Sequence, residues 1–143
     1  MTNCKTTACV TGASGMIGRR IVNNLLLEGY KVRVLSRSDI FSADSRIKLF
    51  KAGFENEQIV KNFLNGGDLL FHCAGELSDK TKMWNVNVLG TELLFGLAAK
   101  FGVKYFCHIS SAGVIGLTNE KWVDENSNCN PQNDYELSKW EAE

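Results

Sequence analysis

Residues 11–18 read Thr11-Gly12-Ala13-Ser14-Gly15-Met16-Ile17-Gly18. The short apolar run Ala8-Cys9-Val10 precedes them, and Ile17, Ile21, Val22, Leu25 and Leu26 follow at helical spacing. Strand, glycine turn and helix in that order is the context that gives spaced glycines meaning. Gly12 supplies the tight turn, because it tolerates positive φ. Gly15 has no Cβ, so a pyrophosphate can approach its backbone. Gly18 lets the helix pack closely on the strand. The helix then turns its unpaired N–H groups and the positive end of its dipole toward the phosphates. The stretch implies a dinucleotide site built on Gly12, Ser14, Gly15, Met16, Ile17 and Gly18.

Outward from this turn the chain alternates strands and helices. Gly29-Tyr30 stops the first helix. Lys31-Val32-Arg33-Val34-Leu35 forms a second strand and Ile47-Lys48-Leu49-Phe50 a third. Residues 57–64 carry Ile59, Val60, Phe63 and Leu64 at helical spacing, ended by Gly66-Gly67. Leu69-Leu70-Phe71-His72-Cys73 is the near-continuous apolar run of a strand buried on both faces. Val86, Gly90, Leu93, Leu94 and Leu97 mark a longer helix closed by Gly102, and 104–109 form a fifth strand. This alternation predicts an α/β fold: a Rossmann-type, doubly wound parallel sheet with helices on both faces. Ligands of such sheets bind beyond the carboxyl ends of the strands. The glycine loop, Ser36-Arg37, Ala74-Gly75 and Ser110-Ser111 all fall at such ends.

Ser36 and Arg37 close the second strand, where the adenosine ribose of a dinucleotide lies. An acid there would bond the ribose 2′-hydroxyl and repel a 2′-phosphate. A serine followed by an arginine favours the phosphate, because a guanidinium grips it with forked, charge-assisted hydrogen bonds. The cofactor expected is therefore NADP, with NAD the alternative if Arg37 is only a solvated loop residue. Arg19 and Arg20 add positive charge beside the loop or form the exposed face of the helix.

The chain of 143 residues fits one dinucleotide-binding domain, residues 1–143, with a sizeable core. Its 16 basic and 16 acidic residues cancel, so no nucleic-acid or anionic-membrane surface is indicated. The first seven residues lack the apolar core of a signal peptide, and no apolar run approaches membrane-spanning length. Cys4, Cys9, Cys73, Cys107 and Cys129 are scattered, odd in number and without metal-ligand spacing. Cys9, Cys73 and Cys107 fall in apparent buried strands. They read as small core residues in a reducing compartment, which points to the cytoplasm. His72 and His108 lie inside strand patterns and read as satisfied or partly buried side chains rather than catalysts. Trp84, Trp122 and Trp140 have no spacing that makes a stacking platform. Asp124-Glu125 reads as solvated loop, and Pro131, the single proline, helps start the turn that follows.

A second constellation is Ser110-Ser111 after the fifth strand, then Tyr135-Glu136-Leu137-Ser138-Lys139. Tyrosine and lysine four apart share one face of a helix. A free phenol, with a pKa near ~10, is a poor base at neutral pH, and a nearby ammonium favours its ionised form. Such a tyrosine can exchange a proton with a substrate alcohol or carbonyl while a nicotinamide exchanges hydride. A serine hydroxyl beside it orients the carbonyl oxygen, and the lysine can also bond the nicotinamide ribose. Following a glycine loop and a strand-end serine, Tyr135 and Lys139 are expected to serve both the chemistry and the cofactor, with a helix-surface pair as the alternative.

At this point the chain resembles the extended short-chain dehydrogenase/reductases, which include nucleotide-sugar epimerases, dehydratases and dihydroflavonol-type reductases. The likeness runs from Thr11 to Glu143. Residues 11–18 resemble the family's TGxxGxxG loop. Phe71-His72-Cys73-Ala74-Gly75 resembles its strand-four motif, and Asn87-Val88-Leu89-Gly90-Thr91 its N-x-x-G-T segment. Ser110-Ser111-Ala112-Gly113-Val114-Ile115-Gly116 resembles its serine motif, and Tyr135 to Lys139 fits Y-x-x-x-K.

The resemblance implies that Tyr135 is the acid/base, Lys139 its electrostatic partner and Ser111 the group that orients the carbonyl. It adds Asn87 as a helix asparagine that holds a water in a proton relay, with a packing role as the alternative. It implies a small-molecule substrate, a nucleotide sugar among the choices, and leaves open pairing with a twin subunit. Three departures stand out. Gly53 occupies the place where the family carries an aspartate that reaches the adenine. Ile115 replaces a tyrosine common in the sugar-nucleotide members. The sequence ends at Glu143, where family members continue about as far again into a substrate lobe, so an amino-terminal fragment is expected. Two function classes follow: an NAD(P)-dependent oxidoreductase, epimerase or dehydratase, and a cofactor-binding module without turnover.

Overall fold

The computed structural model describes residues 6–39 and 44–143. Cys4 and most of the stretch read for a signal peptide lie outside the described residues. The elements run β1 (Thr7–Thr11), α1 (Met16–Leu27), β2 (Lys31–Ser36), β3 (Ile47–Lys51), α2 (Glu57–Leu64), β4 (Leu69–His72), α3 (Lys80–Trp84), a π-helical turn (Asn85–Leu89), α4 (Gly90–Lys100), β5 (Tyr105–His108), a 3₁₀ turn (Ala112–Ile115) and α5 (Asp134–Glu141). The chain divides into two compact units, Met1–Ala74 with Leu93–Ile109, and Gly75–Glu92 with Ser110–Glu143.

The first unit is the parallel sheet, in the order β3-β2-β1-β4-β5. Its apolar side chains alternate by face, as the period of two in a strand requires. Ala8, Val10, Val32 and Val34 pack on one face with Val22 and Leu25 of α1. Cys9, Leu35 and Leu70 pack on the other with Val60, Phe63 and Leu64 of α2 and Leu94, Leu97 and Ala98 of α4. Helices therefore cover both faces, as the alternation predicts. At the opposite end of the strands from the glycine loop, Asp68 accepts hydrogen bonds from Thr7 N–H (2.9 Å) and Lys104 Nζ (3.0 Å). The Thr7 N–H and then the Lys104 ammonium hold this carboxyl below its usual range.

Order reverses between β1 and β4, so their carboxyl ends form the switch point of the sheet. Gly12 follows β1 and Ala74 lies just beyond β4. Cys73 lies past the end of β4 and is half-buried. Cys107, on the outermost strand β5, is half-buried too, so of the three strand cysteines only Cys9 is fully enclosed.

The second unit holds α3, the π-helical turn, the 3₁₀ turn and α5. Asp79 caps α3 by accepting from Thr81 N–H at 3.1 Å, and Asn133 caps α5 by accepting from Glu136 N–H at 2.9 Å. Lys80 and Asp134 join α3 to α5 through an ion pair at 2.6 Å. The helix read from Val86 onward thus begins earlier, at Lys80, and contains a widened turn at Asn85–Leu89. Among the described residues, no helix is long and apolar enough to cross a membrane.

Candidate active site

In the first unit the glycine loop is built against the chain leaving β4. Gly12 has φ +65°, and a Cβ there would stand 2.5 Å from Cys73 C and O and from Ala74 N. Thr11 Oγ1 accepts from Ala74 N–H at 3.2 Å and bonds His72 Nδ1 at 2.6 Å. These contacts fix the turn on two sides. Gly15 N–H donates to Gly12 O at 3.0 Å, and Gly15 caps α1. That helix start has no side-chain cap and no acidic residue in its first turn. Its amide donors and positive dipole end therefore suit a diphosphate. Ser14, Gly15, Met16 and Ile17 are exposed around it, and Arg19 Nη2 braces the loop by donating to Ser14 O at 3.2 Å. Gly18 is buried, but its missing Cβ makes room for the carbonyl of Gly12 and the Cα of Ala13. The close contact is thus with the loop itself rather than with the strand.

Ser36 ends β2 with its hydroxyl in a local turn, donating to Ser38 O at 3.1 Å and accepting from Ser38 N–H at 3.2 Å. Arg37 beside it is exposed. At the end of β3, Gly53 donates its N–H to Glu55 Oε1 at 3.2 Å, so the loop at the position of the missing aspartate carries a carboxylate two residues on. His72 is fully buried, its ring edge-on to Phe54 at 5.7 Å and tilted to His108 at 5.2 Å between centroids. It belongs to the core, as the strand pattern predicts.

In the second unit Ser111 caps the 3₁₀ turn, its Oγ accepting from Gly113 N–H at 3.1 Å. Ser110 Oγ bonds the Glu143 carboxylate. Gly113 leaves room for Glu136, whose Cγ would lie 2.9 Å from a Cβ there. Glu136 Oε2 also accepts from Gln132 N–H at 2.7 Å. The serine turn and the start of α5 are thereby packed together. Tyr135 is half-buried in the first turn of α5, and Lys139, one turn on, is only 3% exposed.

Asn87 sits in the π-helical turn with no exposed surface. Its Oδ1 accepts from Glu76 N–H at 2.7 Å, and its Nδ2 donates to Glu76 O at 3.0 Å and Ser138 Oγ at 2.9 Å. Gly75 is exposed next to that bonded peptide. The Glu76 carboxylate accepts from Asp79 and Ser78 N–H groups, which hold its carboxyl below the usual range. Ser138, 2% exposed, accepts from Asn87 Nδ2 and donates to Tyr135 O, and the sequence does not single it out. Its one signal in the sequence is its place between Tyr135 and Lys139.

Sequence-predicted site residues thus fall in two groups. Gly12, Ser14, Gly15, Met16, Ile17, Gly18, Ser36, Arg37 and Ala74 belong to the first unit. Gly75, Asn87, Ser111, Tyr135 and Lys139 belong to the second. Among the described residues, no group of His, Cys, Asp and Glu is placed to hold a metal ion.

The NAD dependent epimerase/dehydratase family profile matches residues 8–143. The chain belongs to that family. Sterol demethylase protein B of Methylococcus capsulatus is 33% identical over 145 residues, covering 93% of this chain and 44% of the relative. A short-chain dehydrogenase/reductase superfamily protein from Agrobacterium tumefaciens, solved with bound NAD, superposes with a TM-score of 0.87. It is 26% identical, with 95% of this chain and 42% of that one covered. The dTDP-glucose 4,6-dehydratase DesIV of Streptomyces venezuelae, solved with NAD, gives a TM-score of 0.87 at 25% identity, with 96% and 49% covered. This member of the epimerase/dehydratase family therefore spans less than half the length of the relatives it matches.

Proposed function

We propose that residues 1–143 form the dinucleotide-binding part of an NAD(P)-dependent oxidoreductase, epimerase or dehydratase. The observation that carries the reading is the glycine loop. Gly12 is held where no side chain fits, beside a helix start whose amides have neither a side-chain cap nor an acid. Residues 12–18 take the diphosphate, Ala74 and Gly75 flank the cofactor, and Ser36 with Arg37 receives the ribose. Arg37 favours the 2′-phosphate of NADP, while NAD in two of the related structures supports the alternative. Bound there, a nicotinamide dinucleotide supplies or accepts hydride.

This chain's residues move and stabilise the proton. Ser111 Oγ hydrogen-bonds the substrate oxygen and orients it. The Tyr135 phenol donates its proton to a carbonyl oxygen as that oxygen gains charge, or accepts one from an alcohol in the reverse direction. Lys139, one helical turn on from Tyr135, bonds the nicotinamide ribose. The substrate is a small molecule with a hydroxyl or carbonyl group. The dehydratase named for dTDP-glucose supports a nucleotide sugar, and Ile115, in place of the tyrosine common in the sugar-nucleotide members, argues against one. We place the protein in the reducing cytoplasm on its scattered cysteines, odd in number and without metal-ligand spacing, and a twin chain against the exposed Trp84, Leu137 and Trp140.

A module without turnover is the second reading, favoured by Gly53 at the expected acid position. Deuteride transfer from labelled NADPH to a panel of ketones separates the two. The parent is expected to transfer label, and Tyr135→Phe to slow it at least about 100-fold with dinucleotide binding intact. A Phe variant as fast as the parent overturns the role of Tyr135. Binding without transfer by the parent favours the module.

A further inference from the structure

We infer that Asn87 and Ser138 form a buried clamp that fixes the tyrosine helix to the loop after β4, which makes Ser138 a positioning residue for Tyr135 and Lys139. Its consequence for chemistry rests on the proton-transfer role proposed for Tyr135; the clamp itself does not. Four groups are linked in series. The Glu76 peptide presents N–H and C=O to the Asn87 amide, at 2.7 and 3.0 Å. The second Asn87 Nδ2 proton goes to Ser138 Oγ at 2.9 Å. Ser138 Oγ then donates its one proton to Tyr135 O at 2.7 Å.

The direction of every bond in this series is determined. Ser138 gives its proton to Tyr135 O, so it must accept from Asn87. Asn87 must therefore present Nδ2 to Ser138, and a flipped amide would set Oδ1 against Glu76 O. All three protons are used, and both side chains are buried, at 0% and 2% exposure. Losing one link leaves a buried polar atom unsatisfied, so the arrangement switches as a unit rather than loosening by degrees.

Local structure is adapted to this end. The π-helical turn widens the backbone at Asn87, and Thr91 Oγ1 donates to Asn87 O at 2.6 Å. One end of the series adjoins Gly75, assigned to the cofactor, and the other is the backbone of Tyr135. Bonding to its own helix alone would satisfy Ser138 locally. The bond to Asn87 is what ties α5 to a segment 51 residues away in sequence.

The test is carbon NMR of the chain labelled at tyrosine Cζ, with Tyr135 assigned by Tyr135→Phe. Ser138→Ala and Asn87→Asp are each expected to displace the Tyr135 resonance while those of Tyr30 and Tyr105 stay. The double variant should displace it no further, because both changes break one series. A purely stabilising role would lower the unfolding midpoint and leave Tyr135 in place, and that result overturns the inference. Should the variants not fold, the parent decides. Both Asn87 side-chain amide protons should exchange at least about 100-fold more slowly than those of exposed Asn126. Equal exchange overturns the clamp. Neither measurement needs a bound dinucleotide, so failure of the cofactor reading is seen separately.

Discussion

A methyl group at residue 12 would occupy space already filled by the peptide joining Cys73 to Ala74, on a backbone with φ +65°. Gly29 has a similar φ of +85° with nothing near its missing Cβ. Comparing the two separates conformation from packing. Gly29→Ala should cost about 1 kcal/mol in urea denaturation, and Gly12→Ala roughly 2–5 kcal/mol with loss of dinucleotide binding. Equal costs would mean the loop yields. Cys9 gives a pH prediction. Burial pushes its thiol up to about 12. The unfolded thiol ionises near 9.0 while the native one keeps its proton, so the unfolded state binds fewer protons in that window. Stability should fall by up to about 1.4 kcal/mol per pH unit between the two values. Cys9→Ala should flatten the profile measured between pH 8 and 10. At this scale Gly12 was legible because few residues tolerate its backbone, and Cys9 because it interrupts an apolar strand. The Asn87–Ser138 bond was not, since nothing in the two sequence neighbourhoods states that they meet. The half-burial of Cys107 depends on its strand lying at the sheet's end, which apolar patterning does not encode.

Helices α2 and α5 have eight residues each, fewer than an isolated helix needs to persist in water. Packing and caps must hold them. Phe63 of α2 is fully buried and edge-on to Phe50 at 5.7 Å between ring centroids. Phe63→Ala should destabilise by about 3–5 kcal/mol, while exposed Gln58→Ala should stay within about 0.5 kcal/mol by chemical denaturation. A small effect at Phe63 would mean α2 is held mainly by its Asn56 cap. The strands and α2 were read with nearly their observed limits, because glycines punctuate them and the apolar period changes from two to near four. The π-helical turn was hidden. A wider hydrogen-bonded turn needs no special composition, and the stripe through Val86, Gly90, Leu94 and Leu97 reads as uninterrupted helix.

The sheet order β3-β2-β1-β4-β5 places the switch point between the central strands, and the glycine loop stands at that end. Alternation of elements and right-handed crossovers restrict the order strongly, so this much of the molecule was legible. The grouping of site residues into two compact units was not, because long-range contacts rather than local patterns define the units. We propose that the loop at residues 12–18 holds a dinucleotide and that Arg37 selects its phosphate. Separate calorimetric titrations of NADPH and NADH test it most directly. Saturable binding is expected, with NADPH at least about tenfold tighter, a difference of about 1.4 kcal/mol. No heat from either dinucleotide at millimolar concentration would contradict it.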